Sequence, residues 1–259
     1  MNQKGSVLIL SLWVLSIMVC LAMSLAYASR IEWRLTRYAW DRMRLVQEAK
    51  RQALEALLTT PGATDESARI NLNRASPEVL KRVFVLNEAV VPEILIWRGT
   101  TGGDDGDYKR LGYTCRHGAF RSVDELQLVK NVTPDVWADV KNVLTVDTGG
   151  EVNINTASER VLNAMGLMPS VVQKILWVRQ NGHLFDQVAT IVSTLQKMSF
   201  MTPPEVQSLT AAIAAGQWTV RSSALRLDII SRVENSMAVF RVSVVASHGR
   251  ILQWQESIR

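Results

Sequence analysis

From Ser6 to Ser29 no position is charged, and the runs Val7-Leu8-Ile9-Leu10 and Leu12-Trp13-Val14-Leu15 lie inside a stretch bounded by Lys4-Gly5 and Arg30. At ~1.5 Å per residue these roughly 24 positions make a helix of about 36 Å, longer than the ~30 Å hydrocarbon core of a bilayer. The segment can therefore span a membrane. Beyond it the pattern turns amphipathic: Leu35, Tyr38, Leu45, Ala49, Ala53 and Leu57 recur at helical spacing, with Arg34, Arg37, Arg44, Lys50 and Arg51 between them. One helix is predicted from about Ser6 to about Thr59, and Pro61-Gly62 ends it. A cleaved secretory signal would need an apolar core of only ~7 to 15 residues and a small-x-small exit. Ala26-Tyr27-Ala28 fits the exit, but the run before it is too long and the helical pattern continues past it.

The middle of the chain says much the same thing twice. Ile70-Asn71-Leu72-Asn73-Arg74-Ala75-Ser76 returns as Val152-Asn153-Ile154-Asn155-Thr156-Ala157-Ser158, and Val90-Val91 with Ile94-Leu95 and Arg98 returns as Val171-Val172 with Ile175-Leu176 and Arg179. Phe120 and Val123 match Phe185 and Val188, and Thr133-Pro134 matches Thr202-Pro203. Four matches in one order define two repeats, about 69–148 and 150–216, the first with a longer insert from Gly99 to Ala119. Ser76-Pro77 and Thr133-Pro134 read as helix N-caps, and Thr202-Pro203-Pro204-Glu205 adds the acid of a capping box. Each repeat is an extended Asn-x-Asn lead followed by three or four short helices.

From Thr219 the period drops to two. Leu225, Leu227 and Ile229 alternate with Arg226 and Asp228. Phe240, Val242, Val244 and Ala246 alternate with Arg241 and Ser243, and Leu252 and Trp254 flank Gln253. With turns at Glu234-Asn235-Ser236 and His248-Gly249, three antiparallel strands with one covered face are predicted.

Charge sharpens this division. The net charge is +5, yet residues 61–218 carry 15 Arg/Lys against 17 Asp/Glu, so the repeats are slightly acidic and their charge does not favour nucleic acid. Cys20 lies in the apolar run and Cys115 in the insert, which implies no disulfide. His117, His183 and His248 occupy separate contexts without a nucleophile pattern, phosphate loop or dinucleotide fingerprint, so nothing argues for an enzyme. Asp104, Asp105 and Asp107 stand among glycines in the insert, where they form either an oxygen-rich calcium loop or a solvated loop.

A basic residue, Gly5 and Ser6 opening an uncharged helix resemble the class III signal of type IV pilins and pseudopilins. That resemblance implies a prepilin peptidase cutting between Gly5 and Ser6, with Ser6 as a methylated new amino terminus. Members usually carry Glu five residues into the mature chain; here Leu10 stands there, and with Leu12-Trp13-Val14-Leu15 it resembles the minor pseudopilin K (GspK) family of type II secretion. An unpaired carboxylate inside a membrane is costly, so its absence suits a tip subunit with no neighbour above it. The Asn-x-Asn and Ala-Ser repeats resemble helix-hairpin-helix, SAM-like modules, which occur in that family's inserted α-domain and in competence proteins that bind DNA.

The resemblance implies an α+β, pilin-like fold in which a long amino-terminal helix packs on a small antiparallel sheet, with an inserted all-α domain. Residues 1–5 would be a leader, 6–29 the membrane half and 30–60 the amphipathic half of the helix, 61–218 the α-domain and 219–259 the strands. It further implies a single-pass inner-membrane protein with a periplasmic carboxy-terminal part, capping the pseudopilus tip and engaging minor pseudopilins I and J through helix residues such as Leu10, Trp13, Leu35 and Tyr38. No cofactor would be required, while calcium at Asp104, Asp105 and Asp107 would match the family. The positive-inside rule argues for the reverse orientation, because Arg30, Arg34 and Arg37 outnumber Lys4 and the initial amine. A membrane-anchored competence-type DNA binder and a type IV pilus minor pilin are the alternatives.

Overall fold

Helix α1 runs without interruption over Gln3–Thr59 in the computed structural model, which describes residues 3–59, 63–103, 106–110, 112–232, 239–247 and 250–258. The apolar and amphipathic stretches are thus one helix. The chain divides into two units, one of residues 1–55, 229–242 and 256–259, the other of residues 56–228 and 243–255.

After the last turn of α1, the second unit continues with strand β1 (Thr64–Asp65) and a single 3-10 turn at Glu66–Ala68. The first repeat follows as β2 (Ile70–Asn71), α2 (Pro77–Val83), α3 (Val90–Trp97), α4 (Gly106–Arg110), a 3-10 turn at Val123–Leu128, α5 (Pro134–Val140) and β3 (Leu144–Thr145). The second is β4 (Val152–Asn153), α6 (Glu159–Ala164), α7 (Pro169–Gln180), a 3-10 turn at Val188–Thr190, α8 (Ile191–Met198), α9 (Pro203–Ala214) and β5 (Trp218–Thr219). The start and end of each repeat are joined by a two-residue parallel ladder, β2 with β3 and β4 with β5. Flanking backbone bonds extend both, from the Leu72 amide to Thr145 O (2.8 Å) and from the Ile154 amide to Thr219 O (2.9 Å). Thr219, the first residue of the expected strand region, therefore closes the second repeat.

Matching positions fill matching places. Leu72 and Ile154, Leu80 and Leu162, and Ile94 and Ile175 are all at most 1% exposed, and each such side chain contributes roughly 1.5–3 kcal/mol of burial. The expected caps at Ser76 and Thr133 are present, their hydroxyls accepting from the amides of Val79 and Val136 at 3.3 Å, and Ser158 caps α6 in the same way from the Val161 amide at 3.3 Å. At α9, Glu205 accepts from the Thr202 amide at 2.8 Å and also takes the Lys174 ammonium of α7 at 2.6 Å.

That last pair gives a pH-dependent expectation. The Lys174 hydrogen bond, aided by Thr202, holds the Glu205 carboxyl down at about 2. A carboxyl depressed in the folded state contributes stability that is present above its unfolded pKa of roughly 4.3 and lost as pH falls toward about 2. Glu205→Gln should therefore flatten the acid-unfolding profile between those two values, as followed by circular dichroism, and leave the slope above pH ~5 unchanged.

In the insert of the first repeat, Thr101, Gly102 and Gly103 are exposed, while residues after the acidic stretch contribute to the core. Tyr108 and Cys115 are buried, and Trp97 meets Tyr108 edge-on at 5.5 Å and stacks near Phe120 at 6.2 Å. Tyr108 also donates to Glu93 at 3.2 Å, and burial pushes its phenol above the usual range. Gly103 lies so close to α3 that a Cβ would stand 2.6 Å from the Ile96 side chain, which is why this turn of the insert takes glycine. Burial of Cys115 and exposure of Cys20 leave both thiols free.

Strands β6 (Leu225–Arg232), β7 (Val239–Ser247) and β8 (Arg250–Ile258) form a sheet in the order β1-β6-β7-β8. The sheet has four strands rather than the expected three, because Thr64 and Asp65 pair antiparallel with Arg226 and Leu225. Alternation holds in β6, where Leu227 and Ile229 are buried and Asp228 is exposed. It fails in β7, where Val244, Val245 and Ala246 are all buried, so both faces are covered at that level, as an unbroken apolar run implies. On the edge strand β8 Leu252 is 52% exposed, so it is not part of a covered face. The expected turns at Glu234-Asn235-Ser236 and His248-Gly249 lie outside the described residues.

Candidate functional site

Two surfaces carry the residues singled out by sequence. The first is α1. Gly5 and Ser6 both lie within the helix, so the proposed peptidase bond sits in its first turns. Leu10, Trp13, Leu35 and Tyr38 are 68%, 67%, 65% and 62% exposed. At roughly 100° per residue their spacings bring all four within an arc of about 80°. A single stripe thus runs from the apolar half into the amphipathic half, with Ala39, Met43 and Val46 lining a furrow beside Leu35 and Tyr38. Farther along, Arg51 bridges Glu48 and Glu55, both at 2.6 Å, and this hydrogen bonding holds the Glu48 carboxyl at about 2.

The second surface is the pair of hairpins. In each repeat an asparagine grips the main chain of a phenylalanine: Asn73 accepts from the Phe120 amide at 2.7 Å and donates to its carbonyl at 2.9 Å, while Asn155 does the same to Phe185 at 2.8 and 2.9 Å. The preceding asparagines turn the lead, Asn71 accepting from the amides of Asn73 and Arg74, and Asn153 from that of Asn155. Arg98 and Arg179 close the arrangement by donating to the carbonyls of Ala75 and Ala157 at 2.9 and 2.6 Å, and burial lowers both of their pKa values.

Between the repeats, helices α2 and α6 cap each other. Arg82 of α2 donates to Ala164 O at the end of α6, and Arg160 of α6 donates to Val83 O at the end of α2 while clasping Asp139 with both nitrogens. Cations at helix carboxyl ends are favourable. The Arg82 guanidinium fills the space over the second hairpin turn, where a Cβ on Gly166 (φ +90°) would stand 2.6 Å from its Nη1. The other turn is apolar, with Val85 and Leu86 66% and 88% exposed. A cleft of about 990 Å³ runs between the two, lined by Phe84, Leu86, Val136 and Arg160 among others.

In sequence, the joint recurrence of the Asn-x-Asn lead and the phenylalanine in both repeats is the signal for this contact. Nothing in the pattern marked Arg82 or Arg160. Of the acidic loop, Asp104 and Asp105 lie outside the described residues, as does the side chain of Asp107. Among the described residues no group of three His, Cys, Asp or Glu side chains could hold a metal ion.

No protein-family model matches the chain, and no curated protein does. Among solved structures, it is similar to a chain in the crystal structure of the GspK-GspI-GspJ complex from the enterotoxigenic Escherichia coli type 2 secretion system. That similarity covers 75% of this chain and 78% of the other at a TM-score of 0.57 and 12% sequence identity. The chain has a GspK-like fold. At that identity the likeness concerns architecture alone.

Proposed function

We propose that this protein is a minor pseudopilin of a type II secretion system, a non-catalytic subunit that sits at the pseudopilus tip and starts its assembly. The observation that carries this reading is the GspK-like fold attached to a helix with an uncharged run long enough to cross a bilayer. The neighbouring structure is of a complex named for GspK, GspI and GspJ, and we extend its composition to this chain. The continuous stripe of Leu10, Trp13, Leu35 and Tyr38 is the surface we assign to partner helices. The protein is then held in the inner membrane by residues 6–29, with its remainder periplasmic, after a prepilin peptidase has cut at Gly5.

The hairpins serve as scaffold in this reading. A DNA-binding hairpin offers the backbone amides of a glycine turn to a phosphate. Here Arg82 already occupies the space over Gly166, and the other turn presents Val85 and Leu86.

Co-expression of the full chain with the I and J pseudopilins and the peptidase of its own system tests the proposal. Purification through a tag on this chain should return one copy of each partner, and intact mass should place the mature amino terminus at Ser6. An amino terminus at Met1, or near Ser29, would remove the pilin reading. Label distributed along pseudopili in immunogold images would remove the tip position.

A further inference from the structure

We propose that Arg30, Arg34 and Arg37, with Trp33 among them, form a binding site for anionic phospholipid headgroups where α1 leaves the bilayer. This rests on the membrane-spanning reading of residues 6–29. Arg30 is the first charged residue after Lys4, so it marks the end of the stretch that hydrocarbon can hold. Arg34 and Arg37 follow at steps of four and three, which places all three guanidinium groups within about 60° of arc on the helix. The rise from Arg30 to Arg37 is only ~10 Å, close to the depth of a headgroup layer once the reach of the side chains is added.

The chemistry fits phosphate. All three arginines are exposed on the helix, and a guanidinium offers paired donors that match phosphate oxygens. Ser29, Arg30, Trp33 and Arg34 together line a niche, and the Arg37 guanidinium stands 5.5 Å from the centre of the Trp33 ring. Indole rings of this kind settle at the membrane interface. Of the nearby acids, Glu32 lies roughly 160° around the helix from Arg30, while Asp41 stands at i+4 from Arg37 on the arginine side, one acid against three guanidinium groups, which leaves the cluster net positive. Leu35, assigned above to partner helices, lies roughly 140° from Arg30, and Tyr38 of the same stripe about 40° from Arg34, so the lipid cluster adjoins one flank of the partner stripe.

The site also bears on orientation. Three arginines immediately after the span oppose the positive-inside rule for a periplasmic carboxy-terminal part, and attachment to anionic headgroups in that leaflet gives them a stabilising role there.

The test uses the full chain reconstituted in phosphatidylcholine vesicles containing a trace of spin-labelled phosphatidylglycerol or, separately, spin-labelled phosphatidylcholine. The motionally restricted fraction of each label reports which lipid the helix retains. The expected result is a preference for phosphatidylglycerol of about threefold or more that collapses toward unity at about 1 M salt, where the Debye length is ~3 Å. The triple variant Arg30→Gln, Arg34→Gln, Arg37→Gln should lose the preference while still resisting alkaline carbonate extraction. The matching Arg→Lys triple should keep part of it. No preference in the wild type, or an undiminished one in the glutamine variant, overturns the site and leaves the spanning helix standing. Extraction of the wild type by carbonate overturns the spanning reading and the site with it.

Discussion

Replacing Asn155 by aspartate is expected to destabilise the second repeat more than replacing it by alanine, even though aspartate is the closer match in shape. The wild-type carboxamide uses both ends: Oδ1 accepts from the Phe185 amide at 2.8 Å, and Nδ2 donates to Phe185 O and Val220 O at 2.9 and 3.1 Å. Asn155→Ala abandons one main-chain donor and two acceptors in a half-buried place, at a cost of about 1–3 kcal/mol. Asn155→Asp keeps the bond from the amide but turns a carboxylate oxygen toward two carbonyl oxygens. The new carboxyl should relieve this by protonating, which raises its folded pKa above the unfolded value. Stability is then present below roughly pH 4 and lost as pH rises through the folded pKa. Urea unfolding of the full chain in detergent, repeated across pH, checks both the order of the variants and the sign of the slope. Asn73→Ala is a milder control, because Asn73 grips Phe120 alone. Equal stability of the aspartate variant and the wild type at neutral pH would show that the carboxamide orientation is not what holds Phe185.

Much of this architecture was legible because its signals are local. The 57-residue helix shows itself in an uncharged run that passes directly into a 3.6-residue period. The caps at Ser76, Thr133 and Thr202 show in a hydroxyl beside proline or three residues before glutamate. What escaped depends on distant partners. Strand β1 has two residues and exists only because Arg226 and Leu225 come back to it, and no period can be read from two positions. The insert read as a loop because glycine and aspartate dominate it, while the aromatic contacts of Tyr108 and Tyr113 with Trp97 decide its packing. The candidate stripe on α1 is an exception, since one helix over both halves was expected and its continuity follows from residue spacing. Arg82 was invisible because its partners, Ala164 and Gly166, belong to the other repeat.

The largest loss of stability is expected from Glu66→Ala. Glu66 is fully buried in the 3-10 turn after β1, and its two oxygens are divided among three partners: Oε1 receives Arg69 at 3.0 Å and Arg226 at 2.5 Å, and Oε2 receives the Thr145 hydroxyl. Those partners come from the segment before β2, from β6 and from β3, so one carboxylate joins the ladder of the first repeat to a strand of the sheet. Removing it leaves two guanidinium groups, 18% and 19% exposed, without their shared counter-charge. Breaking a buried pair from one side costs about 3–5 kcal/mol, or a fall in Tm on the order of 10 °C for a domain of this size. Asp147 supplies the control. Burial first, and the nearby Glu66 charge second, raise its carboxyl above the ordinary value, and its Oδ2 has no hydrogen-bond partner. A carboxyl raised by folding costs stability at neutral pH and regains it as pH falls, so Asp147→Asn should hold or raise Tm at pH 7 in the otherwise unchanged chain. In Glu66→Gln, where the repelling charge is gone and the arginines remain, the Asp147 resonance should titrate at lower pH than in the wild type. An Asp147 titration unmoved by Glu66→Gln, together with a Tm within a few degrees of wild type for Glu66→Ala, would mean that backbone pairing of β1 with β6, and of β2 with β3, holds this seam without the carboxylate.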